Sequence, residues 1–223
     1  MKIYPVFKRI FDILFSITVI VFLIPVFILE YIIVKIFISK KAFFVQPRGG
    51  RNEVEIKVYK FKTMKDGFDK NGNLLPDHLR MSKVGNILRK TSIDEIPQFF
   101  NVLKGDMSVI GPRPQPIEMI KALPPKFKPR SLVRPGITGL AQVNGRNDLK
   151  FSEKYTYDLE YVNNYGFWMD FKIFFKTIYV VLSTKGSSVT TNVEDLDDLN
   201  IWSCYKVERK SDSASAEKAS AEK

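Results

Sequence analysis

An uncharged, apolar segment near the amino terminus, residues 13–29, constrains the fold of this chain more than any other feature. A helix of that length rises about 1.5 Å per residue and reaches roughly 25 Å, close to the ~30 Å hydrocarbon core of a bilayer. Pro25 lies inside the segment and is expected to bend the helix. Because no small-residue cleavage site follows, as it would after a signal peptide, we expect a helix that stays embedded in a membrane.

Basic residues lie on both sides of this segment, and they favour the cytoplasmic side for both flanks. They are Lys2, Lys8 and Arg9 before it and Lys35, Lys40, Lys41, Arg48 and Arg51 after it. A tilted helix that spans the membrane is compatible with the length of the segment. A re-entrant helix that enters, bends at Pro25 and returns would place both basic flanks on the same side.

The net charge of the 223-residue chain is +11, which predicts an anionic partner such as nucleic acid, anionic lipid or a phosphorylated substrate. Nucleic acid is not expected, because the aromatic residues follow apolar faces instead of alternating with basic residues as a stacking platform. The single cysteine, Cys204, excludes an internal disulfide and a metal site built from several cysteines.

Two adjacent carboxylates, Asp94 and Glu95, begin an apolar stretch within residues 91–114. Apolar residues recur there at helical spacing before Gly105: Ile93, Ile96, Phe99, Phe100 and Leu103. One interpretation is a capping box, in which Ser92 caps the helix and Glu95 reaches back to it. The other is chemical, because the amino end of a helix favours ionised carboxylates, as a nucleophile or a metal ligand requires.

The rest of the pattern predicts a mostly helical α+β fold with one small β-hairpin. Strands are expected at residues 42–46 and 54–61, with Lys60 and Lys62 on one face near the end of the second. Helices are expected at residues 78–90, 151–165 and 167–182. The last of these is rich in aromatic residues, which is typical of a helix that lies at a membrane interface.

Two later segments have features of anion-binding loops. In Gly111-Pro112-Arg113-Pro114, two prolines fix the backbone around a guanidinium group suited to grip a phosphate. Residues 136–146 contain three glycines, which permit a close approach of backbone to a ligand. The second segment is not a P-loop, because no Gly-Lys-Ser or Gly-Lys-Thr follows.

Several long motifs occur in one order along residues 7–187. They are Lys60-Phe61-Lys62-Thr63-Met64, Asp94-Glu95-x-Pro-Gln, Asn101-Val-Leu-x-Gly-Asp-Met-Ser, Gly111-Pro-Arg-Pro and Arg134-Pro-Gly-Ile-Thr-Gly-Leu-Ala-Gln-Val-Asn-Gly-Arg. With these motifs the chain resembles the bacterial sugar transferase family, the monotopic phosphoglycosyl transferases that start glycan assembly on polyprenol phosphate. Its length is similar to that of small members typified by the bacillosamine-phosphate transferase.

The resemblance implies a reaction and a place for it. Phospho-sugar would pass from a UDP-sugar to polyprenol (undecaprenyl) phosphate, with release of UMP and formation of polyprenyl-diphospho-sugar. Asp94 would attack the sugar-bearing phosphorus and form a covalent intermediate, and Glu95 would ligate Mg²⁺. The implied organisation is a re-entrant membrane helix over residues 1–41 and a catalytic domain over 42–187 on the cytoplasmic face of the bacterial plasma membrane. Residues 188–223 are polar, with low complexity from Ser211 onward, and this composition predicts a flexible tail.

The expected substrate contacts are Lys60, Lys62, Arg113, Gln142, Arg146, Asp158 and Asp170. The resemblance favours Lys60, Lys62, Gln142 and Arg146, whereas Asp158 and Asp170 are included as further carboxylates. Either of these two could instead cap a helix or pair with a surface lysine. The expected partners are the UDP-sugar, polyprenol phosphate and membrane lipids, and exposed apolar faces would also suit a homo-oligomer. One departure is Ile24, where relatives commonly have serine before the bend proline.

Two other functions are compatible with parts of the sequence. The first is a non-enzymatic, basic, membrane-anchored scaffold that binds anionic lipid or RNA. The second is a multi-pass transferase that uses the same lipid, which is disfavoured because one segment alone is convincingly apolar enough for a membrane. Release of UMP that depends on Mg²⁺ would distinguish an enzyme from the scaffold.

Overall fold

The computed structural model describes residues 4–70, 75–145, 148–183, 196–202 and Tyr205, and its fold is α+β and mostly helical, as predicted. The helices are α1 (Tyr4–Phe37), α2 (Asp77–Arg80), α3 (Lys83–Thr91), α4 (Gln98–Lys104), α5 (Ile117–Lys121), α6 (Leu140–Asn144), α7 (Phe151–Asn164) and α8 (Phe167–Leu182). The strands are β1 (Phe43–Gly49), β2 (Glu55–Phe61), β3 (Ser108–Ile110) and β4 (Gly136–Thr138). Short 3-10 helices cover Arg51–Glu53, Ile93–Glu95 and Pro125–Leu132.

Helix α1 is long, apolar and largely uncovered by the rest of the molecule. Its most apolar window has a mean hydropathy of 2.8, and only 11% of that window is buried, unlike a core helix of a soluble protein. By length and composition it could therefore cross a membrane. The helix continues through Pro25. Because a continuous helix can still bend at a proline, the re-entrant path stays a prediction.

One face of α1 is turned toward the protein and is mostly polar. Its buried residues are Asp12, Ser16, Glu30 and Val34, whose spacing places them on one side of the helix. Oδ1 of Asp12 accepts a hydrogen bond from the backbone N–H of Val109 at 3.0 Å. Arg9 donates to the carbonyl oxygen of Val102 at 2.6 Å, near the end of α4. These bonds hold α1 against the elements that follow the carboxylate pair.

Strands β1 and β2 form the predicted antiparallel hairpin, with Phe43 opposite Phe61. Ile56 and Val58 are buried and Lys57 is exposed, so the alternation read from the sequence is confirmed within β2. The inner face of the hairpin packs against α1 and α4, which places the end of β2 beside the carboxylate pair.

Strands β3 and β4 form a short parallel pair, in which Ser108 lies opposite Gly136. A Cβ atom on Gly136 would lie 2.1 Å from the backbone nitrogen of Gly111. A Cβ atom on Gly139 would lie 2.1 Å from the carbonyl oxygen of Gly111. These glycines therefore allow two backbone segments to pack closely. That is a different role from the approach to a ligand that the sequence predicts.

The single helix predicted at residues 78–90 is wrong in one respect, because α2 and α3 are separate helices. The break comes at Ser82, whose Oγ accepts a hydrogen bond from the N–H of Gly85 at 2.9 Å and caps α3. A Cβ on Gly85 would lie 1.8 Å from the carbonyl oxygen of Thr63. Close packing on the segment after β2 thus fixes where α3 begins.

Part of the segment predicted as a flexible tail is packed in the fold. Ile201 is 2% exposed and Tyr205 is 7% exposed. Both contribute to a hydrophobic cluster with Phe127, Phe151 and Tyr155. Residues 42–187 therefore receive apolar side chains from beyond residue 187, whereas most of the predicted tail lies outside the described residues.

Candidate active site

The carboxylate pair, Asp94 and Glu95, lies in the 3-10 turn between α3 and α4. Ser92 ends α3 in the left-handed conformation, with φ 57° and ψ 18°, and its side chain makes no capping hydrogen bond. The Glu95 side chain points to two cations and not back to the Ser92 backbone. The capping-box interpretation is therefore wrong. Pro97, which has no N–H to donate, separates the turn from the first residue of α4.

Helix α4 turns a polar face inward. Gln98 and Asn101 are buried, whereas Phe100, part of the predicted apolar face, is 45% exposed. The reason is that the Asn101 amide binds the backbone of β2. Its Oδ1 accepts from the N–H of Tyr59 at 3.0 Å, and its Nδ2 donates to the carbonyl oxygen of Lys57 at 2.6 Å. These two bonds fix α4, and with it the carboxylate pair, against the hairpin.

Two cations converge on Glu95. Nζ of Lys60, at the end of β2, lies 2.5 Å from Oε1 of Glu95. An Nη atom of Arg113, in the rigid loop after β3, lies 2.7 Å from the same oxygen. Both residues were predicted to contact substrate, and the structure brings both to the carboxylate pair. A soluble anion that approached Glu95 would therefore meet two positive side chains.

The pKa values of the two adjacent carboxyl groups are shifted in opposite directions. Burial opposes the ionisation of Glu95, but the charges of Arg113 and Lys60 outweigh it and hold the Glu95 pKa below its usual range. Burial, together with the charge of Glu95, raises the pKa of Asp94 to about 6, against the opposing effect of Lys60, Arg89 and Arg113. Two carboxylates in environments this different can take separate roles in one reaction.

Arg113 is held in place by a buried ion pair behind it. An Nη atom of Arg130 donates to the carbonyl oxygen of Arg113 at 2.7 Å. The same guanidinium binds Asp158 at 2.8 Å, and both side chains are 4% exposed. Asp158, predicted as a substrate contact, is thus occupied within the fold. In the structure, Asp158 pairs with Arg130, which in turn holds the Arg113 loop.

Lys62 and Asp170 make other pairs. Nζ of Lys62 lies 2.5 Å from Oδ1 of Asp66, in a partly exposed ion pair after β2. Asp170 is 8% exposed, with Nζ of Lys8 at 2.6 Å and the hydroxyl of Tyr161 at 2.8 Å. The structure therefore does not bring either residue to Asp94 or Glu95. The Asp170 cluster instead ties the start of α1 to α7 and α8.

The last two predicted contacts lie in or after α6. Nε2 of Gln142 donates to the carbonyl oxygen of Ile137 at 3.3 Å, and its buried Oε1 has no hydrogen-bond partner within the described residues. Arg146 lies outside the described residues. The nucleotide-pocket role of these two residues therefore stays a prediction.

Sequence reasoning missed Arg89 and Arg130. Arg89 lies at the end of α3, its charge lowers the pKa of Asp94, and its Nε donates to Oγ1 of Thr63 at 2.9 Å. Its position five residues before Asp94 was the available signal. Arg130 had no comparable signal, because it reaches the site through the backbone of Arg113, a contact between segments distant in sequence.

A divalent cation at this site would be shared between Glu95 and a substrate. No group of three or more His, Cys, Asp and Glu residues in the described part of the chain could hold a metal ion. Mg²⁺, however, is commonly bound by one or two carboxylates, with phosphate oxygens and water completing its shell. Glu95 is ionised and retains free lone pairs beside its two cations, which suits such a site.

A family model described as bacterial sugar transferase matches residues 3–184. The match covers the carboxylate pair, both cations and the Arg130–Asp158 pair. The chain belongs to the bacterial sugar transferase family. Because this sugar transferase has relatives named as sugar-phosphate transferases, it is an enzyme, and the scaffold alternative is not favoured.

The sugar transferase is similar to relatives of about its own length and to relatives that are about twice as long. It is 40% identical to the uncharacterized sugar transferase EpsL of Bacillus subtilis, over 84% of this chain and 93% of that protein. It is also 40% identical to a UDP-glucose:undecaprenyl-phosphate glucose-1-phosphate transferase of Klebsiella pneumoniae, over 78% of this chain and 40% of that protein. An N-acetylgalactosaminephosphotransferase of Aeromonas hydrophila is 35% identical over 83% of this chain and 46% of its own length. The chain thus spans less than half the length of the last two relatives, whose names include their substrates.

Proposed function

We propose that this sugar transferase moves phospho-sugar from a UDP-sugar to undecaprenyl or a related polyprenol phosphate, in the first membrane step of glycan assembly. The observation that carries the proposal is the pair Asp94–Glu95, in which one carboxylate is held ionised by two cations and its neighbour is buried. The undecaprenyl-phosphate transferases among the relatives support the substrate class.

The proposed reaction has two displacements at one phosphorus. A carboxylate oxygen of Asp94 attacks the sugar-bearing phosphorus of the donor, and the bond from that phosphorus to the bridging oxygen breaks, so UMP leaves. An oxygen of polyprenol phosphate then attacks the same phosphorus and displaces Asp94. The carboxylate is regenerated, and no redox partner is needed. Such acyl-phosphate chemistry is known for aspartate nucleophiles.

Lys60 and Arg113 orient Glu95 and offer positive charge to the donor diphosphate. Glu95 would hold Mg²⁺, which when bound would neutralise charge on the diphosphate. The Arg130–Asp158 pair keeps the Arg113 loop in position during both steps.

The surface supports work at a membrane. Helix α1 is largely exposed and apolar, and α8 also exposes large apolar side chains. On α8 these include Phe167, Trp168, Phe171, Phe175, Tyr179 and Leu182. Aromatic residues on one face of a helix suit the level of the lipid headgroups. We therefore propose that the catalytic region lies at a membrane surface. The basic residues on both sides of the apolar segment support the cytoplasmic face of the bacterial plasma membrane.

Release of UMP tests this function. The purified protein should release UMP from a UDP-sugar when undecaprenyl phosphate and Mg²⁺ are present, and a panel should include UDP-glucose and UDP-N-acetylgalactosamine. Asp94→Asn should abolish turnover without a change in thermal unfolding. Glu95→Gln should also abolish turnover, and it should lower the melting temperature because it leaves Lys60 and Arg113 without their counter-charge. Glu95→Gln with normal turnover and normal Mg²⁺ dependence would contradict the role given to Glu95.

A further inference from the structure

Glu30 is a buried carboxyl group that the proposed reaction leaves unused. It lies in the apolar helix α1, five residues after Pro25, and is 2% exposed. Neither of its carboxylate oxygens has a hydrogen-bond partner within the described residues. Buried side-chain polar atoms are nearly always satisfied, so an exception of this kind requires an explanation.

The neighbours of Glu30 along α1 place it beside the active site. Phe27, one turn earlier, packs on Phe61 of β2 with ring centroids 4.9 Å apart and on Phe100 of α4 at 6.0 Å. Val34, one turn later, packs in a cluster with Leu88 of α3. The carboxylate pair lies between α3 and α4. Glu30 therefore lies on the face of α1 that is turned toward this pair, near enough to Asp94 for the two carboxyl groups to affect each other electrostatically.

The two substrates would reach Asp94 from different directions. Lys60 and Arg113 lie on the side of Glu95 and suit the soluble, anionic donor. The acceptor is a lipid, so its chain must lie in the bilayer, which is the environment that the exposed face of α1 requires. To reach Asp94, its phosphate would have to enter between the buried face of α1 and the turn that carries the carboxylate pair, where Glu30 lies.

The chemistry of an unpaired, buried carboxyl suits that phosphate. Keeping such a group ionised without a partner is costly, so its neutral form is favoured. A neutral carboxylic acid has one O–H to donate, and a phosphate oxygen is a strong acceptor. A donated hydrogen bond would satisfy Glu30 and hold the acceptor phosphate for in-line attack.

We propose that Glu30 is an acceptor-binding residue, which donates a hydrogen bond from its carboxyl group to the phosphate of the polyprenol acceptor. The proposal rests on the proposed function and adds a residue from the membrane helix to the second displacement alone. Glu30 takes no part in the attack on the donor.

Two variants separate hydrogen-bond donation from packing. Glu30→Met has a similar volume and no donor, and Glu30→Gln keeps a donor at a similar position. With UDP-sugar alone, both should form the phospho-sugar adduct and release UMP within about twofold of the wild-type rate. With undecaprenyl phosphate added, Glu30→Met should lower kcat/KM for the acceptor about tenfold, the effect of one charge-assisted hydrogen bond. Glu30→Gln should stay within about threefold of wild type.

Thermal unfolding provides the control for a structural role. Removal of an unsatisfied buried carboxyl should leave the melting temperature of Glu30→Met unchanged or higher. A clear fall in melting temperature would assign Glu30 to the fold and overturn the proposal. Wild-type acceptor kinetics in Glu30→Met would overturn it as well, and so would an equal loss in the first displacement or an equal defect in Glu30→Gln.

Failure of this inference is distinguishable from failure of the proposed function. If wild-type protein forms product but no adduct, the covalent step is wrong. The steady-state KM for undecaprenyl phosphate in Glu30→Met and Glu30→Gln still decides the role of Glu30 in that case.

Discussion

Nζ of Lys60 lies 2.5 Å from Oε1 of Glu95, which joins the end of the β-hairpin to the turn that carries the carboxylate pair. Both side chains are largely buried, and burial lowers the pKa of Lys60 against the charge of Glu95. The pair is therefore sensitive to loss of either member, because the other would remain buried without its partner.

Lys60→Gln should lower kcat/KM for UMP release about 100-fold or more, since preorganised charge in an active site commonly contributes that much. Lys57 is exposed on the same strand and serves as the matched control. Lys57→Gln should stay within about twofold, as expected for a surface substitution. Initial rates of UMP release measure both, and equal losses in the two variants would contradict the role of Lys60.

Asp158→Asn should lower stability because it leaves Arg130 buried without its counter-charge. Breaking a buried pair by loss of one partner typically costs about 3–5 kcal/mol. Thermal or denaturant unfolding in detergent would measure the loss. An unchanged stability with weaker binding of the UDP-sugar would instead support the substrate contact that was one of the two interpretations of Asp158 from the sequence.

Adduct formation should depend on pH through Asp94. Its pKa is raised to about 6, so the carboxylate nucleophile is present above that pH and is lost as the pH falls through it. The kcat/KM for UMP release reports the free enzyme and should therefore decline below about pH 6. Arg89→Gln removes a charge that lowers this pKa, so its acid limb should move to higher pH. Lys90 is an exposed neighbour, so Lys90→Gln should leave the acid side of the pH profile of kcat/KM where it is in the wild type. An unshifted pH profile in Arg89→Gln would contradict the account.

The sequence predicted the parts of the site that depend on local chemistry. The alternation of Ile56 and Val58 placed Lys60 at the end of a strand, and the two prolines around Arg113 indicated a rigid cationic loop. The buried side of α4 could not be predicted, because Asn101 faces inward to bind the backbone of a strand more than 40 residues away.

Partners distant in sequence account for the other differences. Asp158 and Asp170 have the same side chain as Asp94, so residue type alone does not separate their roles. The tertiary structure shows that Asp158 forms an ion pair with Arg130 and Asp170 forms one with Lys8. Ser92 has the sequence of a cap, yet it adopts a left-handed conformation because α3 ends there and the chain must turn into the 3-10 helix.

The re-entrant path of α1 predicts that both of its ends face the cytoplasm. In a Cys204→Ser background, Ile3→Cys and Lys41→Cys should each resist a membrane-impermeant thiol reagent added to intact spheroplasts, and both should react after lysis. Labelling of either position from outside would contradict the re-entrant path. Pro25→Leu should favour a straight, spanning helix, since it restores a helical hydrogen bond, and should expose one end to the reagent.

The central claim is that Asp94 carries the phospho-sugar between the two substrates. Mass spectrometry of the peptide that contains Asp94 tests it most directly, after incubation with UDP-sugar and Mg²⁺ without polyprenol phosphate. The account predicts a mass increase equal to one phospho-sugar on Asp94, its loss when undecaprenyl phosphate is added, and no adduct in Asp94→Asn. An adduct on another residue, or product formation with sequential kinetics and no adduct, would contradict it.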